Sequence, residues 1–146
     1  MKNKLKYFLL FIILIVVFGA FQVFYQQKRI SEIKSSPVKY AYGYFGKDQK
    51  LRSIVYINSL IERDSLEEYY QKLNEHNVEP ILPNNIRLQT ISPNTKLFIT
   101  EFTNDSIFAK FHAFYDGPLV KIIPKHRIGW VKSEFLHDFP IEPKGK

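Results

Sequence analysis

Between Tyr7 and Tyr25 the chain reads YFLLFIILIVVFGAFQVFY, with no charge and with Gly19 and Gln22 as its interruptions. About 20 apolar residues, rising about 1.5 Å each, span a hydrocarbon core, and a helix pairs every backbone group internally. Aromatic residues stand at both ends, Tyr7 and Phe8 on one side and Phe24 and Tyr25 on the other, as the two interfaces favour. The pattern predicts a transmembrane helix over 7–25 behind a basic head over 1–6. A cleaved signal peptide shares the basic start, but it has a shorter apolar middle and a small-residue exit. Here Val17-Phe18-Gly19 is the passable exit, and Phe18, Phe21, Phe24 and Tyr25 crowd it. The expected segment is therefore an uncleaved anchor. Lys2, Lys4 and Lys6 favour a cytoplasmic head, and Lys28, Arg29 and Lys34 on the other flank oppose it. Short basic heads usually leave the bulk outside, so the C-terminal part is expected to be extracytoplasmic.

Polar residues 26–36 continue as a stalk that Ser35-Ser36-Pro37 ends, because the residue before a proline leaves the helical region. In Lys39-Tyr40-Ala41-Tyr42-Gly43-Tyr44 alternation places three tyrosines on one face of an extended segment. Gly46-Lys47-Asp48 reads as a turn. Leu51 to Ile61 fits a strand by its β-branched content, and its apolar spacing also allows a helix. After Asp64 the reading is helical: Asp64 or Ser65 caps, Ser65 and Glu68 form a capping box, and Leu66, Tyr69, Tyr70 and Leu73 recur on one face. Asn77 and Pro80 end that helix, and its charged side, with Glu67, Glu68, Gln71, Lys72 and Glu75, is expected to be solvated. From Ile86 the pattern changes to strands. Leu97–Phe102 and Ile107–Phe114 flank Thr103-Asn104-Asp105-Ser106 as a hairpin. Asp116-Gly117-Pro118 is a second turn, Leu119–Ile123 a third strand and Ile128–Val131 a short fourth. Lys132–Leu136 forms a single helical turn, and 140–146 a frayed tail.

Ser92-Pro93-Asn94-Thr95-Lys96-Leu97-Phe98-Ile99, the hairpin, and Gly129-Trp130-Val131-Lys132-Ser133-Glu134-Phe135-Leu136 together resemble a bacterial Src-homology-3-like barrel. In that family a turn followed by Thr opens a strand, and Gly-Trp-Val followed by an aromatic-Leu pair closes the barrel through a helical turn. The resemblance covers roughly 85–137, under half of the chain, and Asn94 stands where a Gly is usual. It implies structural roles for Gly129 (close approach), Trp130 (an apolar plug), and Phe135 and Leu136 (a cover for the barrel end). The expected fold class is α+β: a transmembrane helix, a strand-helix segment over 37–84, and a small antiparallel barrel over 85–139. Whether 37–84 is a separate unit or an insertion within the barrel stays open.

Composition narrows the function. The net charge of +7 is uneven: residues 1–35 carry six basic side chains and one acidic, and the remaining chain 15 and 13. The excess flanks the apolar run, whereas a nucleic-acid binder carries it on the folded domain, so no nucleic acid is expected. The absence of cysteine excludes a disulfide scaffold, a thiolate metal site and a Cys nucleophile. His76, His112, His126 and His137 form no metal-ligand spacing, so no metal is expected. No nucleophile elbow or phosphate-cradling glycine loop is present, so neither catalysis nor a cofactor is expected. Two candidate ligand-binding groups remain. Tyr40, Tyr42 and Tyr44 would grip an extended peptide or sugar ring, or simply pack across strands. Lys121, Lys125, His126 and Arg127 would meet an anionic partner, or form a solvated loop. Members of the resembled family are mostly binding modules, many of them at the cell wall. The resemblance therefore implies a membrane-anchored, non-catalytic module of the bacterial cell envelope, whose partners are the bilayer and a protein or peptidoglycan-type ligand. An accessory or small hydrolase acting on the wall, and an immunity protein against a secreted toxin, are the alternatives.

Overall fold

The computed structural model describes residues 2–45, 47, 49–76, 89–115 and 125–142, and the backbone alone of residues 2, 3 and 125. Its elements run α1 (Lys2–Lys34), β1 (Val38–Ala41), β2 (Gly43–Phe45), β3 (Lys50–Arg52), β4 (Ile54–Tyr56), α2 (Arg63–His76), β5 (Gln89–Ile91), β6 (Thr95–Phe102), β7 (Phe108–Tyr115), β8 (Lys125–Lys132) and β9 (Leu136–His137). Two 3₁₀ turns, Leu60–Glu62 and Ser133–Phe135, precede α2 and β9. The chain divides into two compact units, one containing α1 and the other most of the β-rich part.

α1 is 33 residues long, about 50 Å at about 1.5 Å per residue. Its apolar window is long and hydrophobic enough to cross a membrane, and none of that window is buried inside the protein. Ser35 ends it: its N–H donates to Ser31 O and Glu32 O at 3.2 Å each, and its hydroxyl donates to Glu32 O at 2.6 Å.

The β-rich unit is built on a five-stranded sheet in the order β8-β7-β6-β1-β9. β1 pairs antiparallel with both β6 and β9, and β6 pairs antiparallel with β7 across the expected hairpin. β1, from the segment before residue 85, thus lies in the same sheet as β6, β7, β8 and β9. The sheet is curled but not closed. Four strand intervals of about 4.8 Å put its edges about 19 Å apart if flat. The three-residue turn Ser133–Phe135 nevertheless carries the chain from β8 on one edge to β9 on the other, a reach of only about 8 Å at about 2 Å per residue. The closed barrel expected over 85–139 is therefore corrected to an open, curled sheet, because β8 and β9 share no ladder.

One face of this sheet carries buried Ala41, Leu97, Ile99, Phe111 and Ala113. Against it lies the pair β4–β5, in register Ile54↔Ile91 and Val55↔Thr90. The rings of Tyr56 and Phe111 meet edge-on at 4.9 Å. Gly129 is needed here: a Cβ at that position would stand 2.4 Å from the Tyr56 ring and 2.8 Å from Ile57 O. A single bridge, Ile57↔Trp130, ties the end of β4 to β8. β4 is buried along its whole length because α2 covers its other side. Leu66, Tyr69, Tyr70 and Leu73, spaced at i, i+3, i+4 and i+7, pack with Val55, Ile57, Phe45, Phe108 and Trp130.

The start of α2 departs from the expected capping box. Ser65 lies inside the helix, and the chain enters it through the turn Leu60–Glu62, where Ser59 Oγ accepts from Ile61 N–H. Arg63 then bonds Glu67 at 3.1 Å and Asp105, at the tip of the β6–β7 hairpin, at 2.8 Å. Asn94 takes the glycine-like role expected at the head of β6, with φ 64, since Asn tolerates the left-handed region better than most residues. Its side chain also accepts from Ile141 N–H at 2.7 Å and donates to Ile141 O at 3.0 Å. The expected frayed tail is therefore pinned at Ile141. The expected turns at Gly46-Lys47-Asp48 and Asp116-Gly117-Pro118, the strand Leu119–Ile123 and the stop at Asn77 and Pro80 lie wholly or partly outside the described residues.

The hairpin tip is a charge clamp. Asp105 accepts from the Thr103 hydroxyl at 2.6 Å, from Ile107 N–H at 3.0 Å and from Arg63. These donors, Thr103 first, hold its carboxyl down at about 2 from an ordinary 3.8. A depressed folded-state pKa gives stability that is complete above the ordinary value and is lost as pH falls through the folded one. The stability difference between the native chain and Asp105→Asn should be constant above about pH 4 and close as pH falls towards 2. Denaturant titrations across that range check it, and a gap that persists at pH 2 would contradict the clamp.

Candidate functional site

The candidate site is a surface groove of about 330 Å³ between α2, β2 and the turn that precedes β9. One wall is helical: Glu67, Gln71 and Asn74, at i, i+4 and i+7, stand on one stripe of α2 beside Tyr70. The opposite wall comes from Lys132, Glu134 and Phe135 around the Ser133–Phe135 turn, and Tyr44 and Phe45 of β2 complete the lining. Aromatic rings form the floor. Phe45 stacks on Tyr70 at 5.2 Å, Phe135 meets Phe45 at 4.9 Å, and Tyr70 meets Phe135 at 4.7 Å.

Tyr70 holds that floor in place. Its hydroxyl donates to Val55 O at 3.0 Å and accepts from Val55 N–H at 2.9 Å. Burial pushes its pKa far up, so the phenol stays protonated and donates throughout the usual range. Lys132 Nζ stands 5.8 Å from the Tyr70 ring centroid and 2.7 Å from Glu134 Oε1. Glu67 is paired with Arg63, and Gln71 Nε2 donates to Glu75 at 2.9 Å. Lys132 and Glu134 thus pair with each other, while Glu67 shares the Arg63 guanidinium with Asp105.

The expected tyrosine row is divided by its surroundings. Ala41, Gly43 and Phe45 turn inward and are buried, so Tyr40, Tyr42 and Tyr44 face the other way across the break between β1 and β2. Tyr40 is half-buried opposite Lys96 and His137 in the sheet register. Tyr42 stacks on His137 with centroids 3.7 Å apart, and His137 Nε2 lies 3.0 Å from Tyr42 O. Tyr44 meets the edge of Tyr42 at 6.5 Å, is 51% exposed and reaches the groove.

Of the basic group, His126 and Arg127 have described side chains. Lys121 lies outside the described residues, and of Lys125 the backbone alone is described. His126 stacks near Phe114 at 5.3 Å and near His112 at 5.7 Å. Its neighbour Arg127 donates to Thr90 O of β5 at 3.3 Å, on the opposite side of the strand, as alternation requires. Trp130 is buried in the cluster beneath α2, Phe135 packs against that cluster and lines the groove, and Leu136 is half-buried opposite Ala41. Among the described residues no group of three His, Cys, Asp or Glu side chains gathers to hold a metal.

Sequence reading missed Glu67, Gln71, Asn74, Lys132 and Glu134 as site residues. The first two had the signal of a polar helical stripe but read as solvated surface, and the last two sat inside a motif read as structural closure. Comparison of the chain with protein-family models, curated proteins and solved structures finds no match.

Replacing Tyr70 by Phe keeps the ring and leaves both buried backbone groups of Val55 without that partner. We expect a loss of about 1–3 kcal/mol, against less than about 0.5 kcal/mol for Tyr44→Phe at the exposed rim. Denaturant unfolding of both variants measures this, and equal costs would contradict the placement of the floor.

Proposed function

We propose that this chain is a membrane-anchored, non-catalytic binding module of the bacterial cell envelope. In this reading α1 crosses the bilayer once, residues 1–6 stay in the cytoplasm, and the β-rich unit is presented outside. The Src-homology-3-like resemblance supports it through the Gly129-to-Leu136 stretch, whose short turn links the two edges of a curled sheet. The observation that carries the reading is the groove, where a half-exposed tyrosine and an aromatic floor are rimmed by carboxamide, carboxylate and ammonium groups. Binding sites have this composition: apolar contact area with a few placed polar groups. The partner is a component of the cell wall, and its capture needs no chemistry from the protein. The anchor confines the groove near the membrane and raises its effective concentration towards that layer.

The test is co-sedimentation of the full chain, in micelles of a zwitterionic detergent, with purified wall sacculi. The native protein should pellet with the sacculi. Tyr44→Ala should weaken that association by about fivefold or more, the loss expected for an aromatic anchor. Failure to pellet, or equal pelleting of the two, would overturn the reading.

A further inference from the structure

The end of the sheet at which the chain enters carries apolar side chains that the fold leaves in the open. In the β1–β6 register Val38 stands opposite Phe98, and Ile99 N–H donates to Pro37 O at 2.9 Å. β6 runs on to Phe102, four residues past Phe98, or roughly 13 Å at about 3.3 Å each. The tip of the β6–β7 hairpin therefore projects back beyond the point where β1 begins. Phe102 and Ile107 flank that tip, and the Phe102 ring is 50% exposed. The Arg63–Asp105 contact, at 2.8 Å, fastens the turn Leu60–Glu62 to the same tip. Leu60 and Ile61 of that turn are exposed, Ile61 by 94%. Leu60, Ile61, Phe102 and Ile107 thus all stand within three residues of one ion pair.

Grouped, exposed apolar side chains mark a surface that meets a partner. Chain length and charge identify the partner. α1 continues for nine residues past Tyr25 to Lys34, about 13.5 Å at about 1.5 Å each. Residues 35–37 add at most about 10 Å before β1 begins. With α1 seated in a bilayer, the entry end of the sheet stays within about 25 Å of the lipid surface. The backward reach of the hairpin matches the length of that stalk. The tether also makes a weak contact sufficient, because it turns docking into an intramolecular step. The charges at this end give no cationic excess for anionic headgroups. Glu101 pairs with Lys110 at 3.4 Å, Arg63 is shared by Glu67 and Asp105, and Glu62 and Asp64 are acidic. The contact this surface supports is apolar.

We infer that this end of the β-rich unit docks on the bilayer that holds α1, with Leu60, Ile61, Phe102 and Ile107 entering the interface of a zwitterionic phospholipid layer. The inference rests on α1 lying in the membrane, and not on the groove or its ligand.

Tryptophan quenching tests it, with the full chain in nanodiscs of phosphatidylcholine brominated on its acyl chains. The native chain has one Trp, the buried Trp130, and gives the baseline. Phe102→Trp and Ile61→Trp each put a second indole at the docking end. Ser92→Trp puts one at an exposed position before the other end of β6, and Phe21→Trp puts one in the apolar part of α1. The added indoles of Phe102→Trp and Ile61→Trp should be quenched at least about twofold more than that of Ser92→Trp, since side chains in the interface sit about 5–10 Å into the headgroup–acyl boundary. That quenching should change less than about twofold between about 50 and 500 mM salt, because screening acts on charges. Adding Ile61→Asp to Phe102→Trp should remove most of it, and this exposed position takes an aspartate without loss of the fold. Quenching of Phe21→Trp alone overturns the docking and leaves the anchor standing. Quenching of none of the four overturns the anchor reading as well. Equal quenching of Ser92→Trp and Phe102→Trp, or no effect of Ile61→Asp, also overturns the inference.

Discussion

The two hydrogen bonds between the Tyr70 hydroxyl and the backbone of Val55 carry the architecture of the folded unit. They fix α2 over β4 at a buried point where an unpaired amide or carbonyl would be expensive. Everything on the α2 side follows from that contact. The helix buries Leu66, Tyr69, Tyr70 and Leu73, so its neighbouring stripe, Glu67, Gln71 and Asn74, stands at the edge of the covered area. Phe45 and Phe135 pack on the Tyr70 ring, and the groove opens where that aromatic group meets the surface. Stability and the proposed binding surface therefore share one residue.

The second constraint is geometric. A three-residue turn joins β8 to β9, although these strands occupy opposite edges of a five-stranded sheet. The sheet has to curl, and Gly129 allows the curl by letting β8 approach Tyr56 and Ile57 without a side chain between them. The same turn delivers Lys132, Glu134 and Phe135 to the groove. A local element of the closing motif thus acts twice, once in shaping the sheet and once in building a wall of the site.

How much of this was legible in the sequence follows from what each signal reports. The apolar run and the face of α2 were readable because a lipid-length stretch and a 3.6-residue period are local patterns. The β6–β7 hairpin was readable from its turn residues. Leu51–Ile61 was ambiguous for a physical reason: β4 is covered on both sides, so Ile54, Val55 and Tyr56 are all buried and no alternation remains. The start of α2 was misread because Ser65 and Glu68 have the spacing of a capping box, whereas a 3₁₀ turn upstream and the Arg63–Asp105 contact set the true start. The pairing of β1 with β6 and β9 joins residues far apart in the chain, which no local pattern encodes. For the same reason Tyr44 was identified as a candidate, but its companions in the groove were not. The basic residues near Arg127 looked like a cluster in sequence, and strand alternation sends His126 and Arg127 to opposite sides.

In the proposed reading, a helix apolar enough to cross a membrane presents the folded unit and its aromatic-floored groove to the wall. The most direct measurement is protease accessibility of a C-terminally tagged chain in intact cells or spheroplasts. The account predicts digestion of the folded unit without lysis. Protection until the cells are lysed would place the groove in the cytoplasm and contradict the central claim.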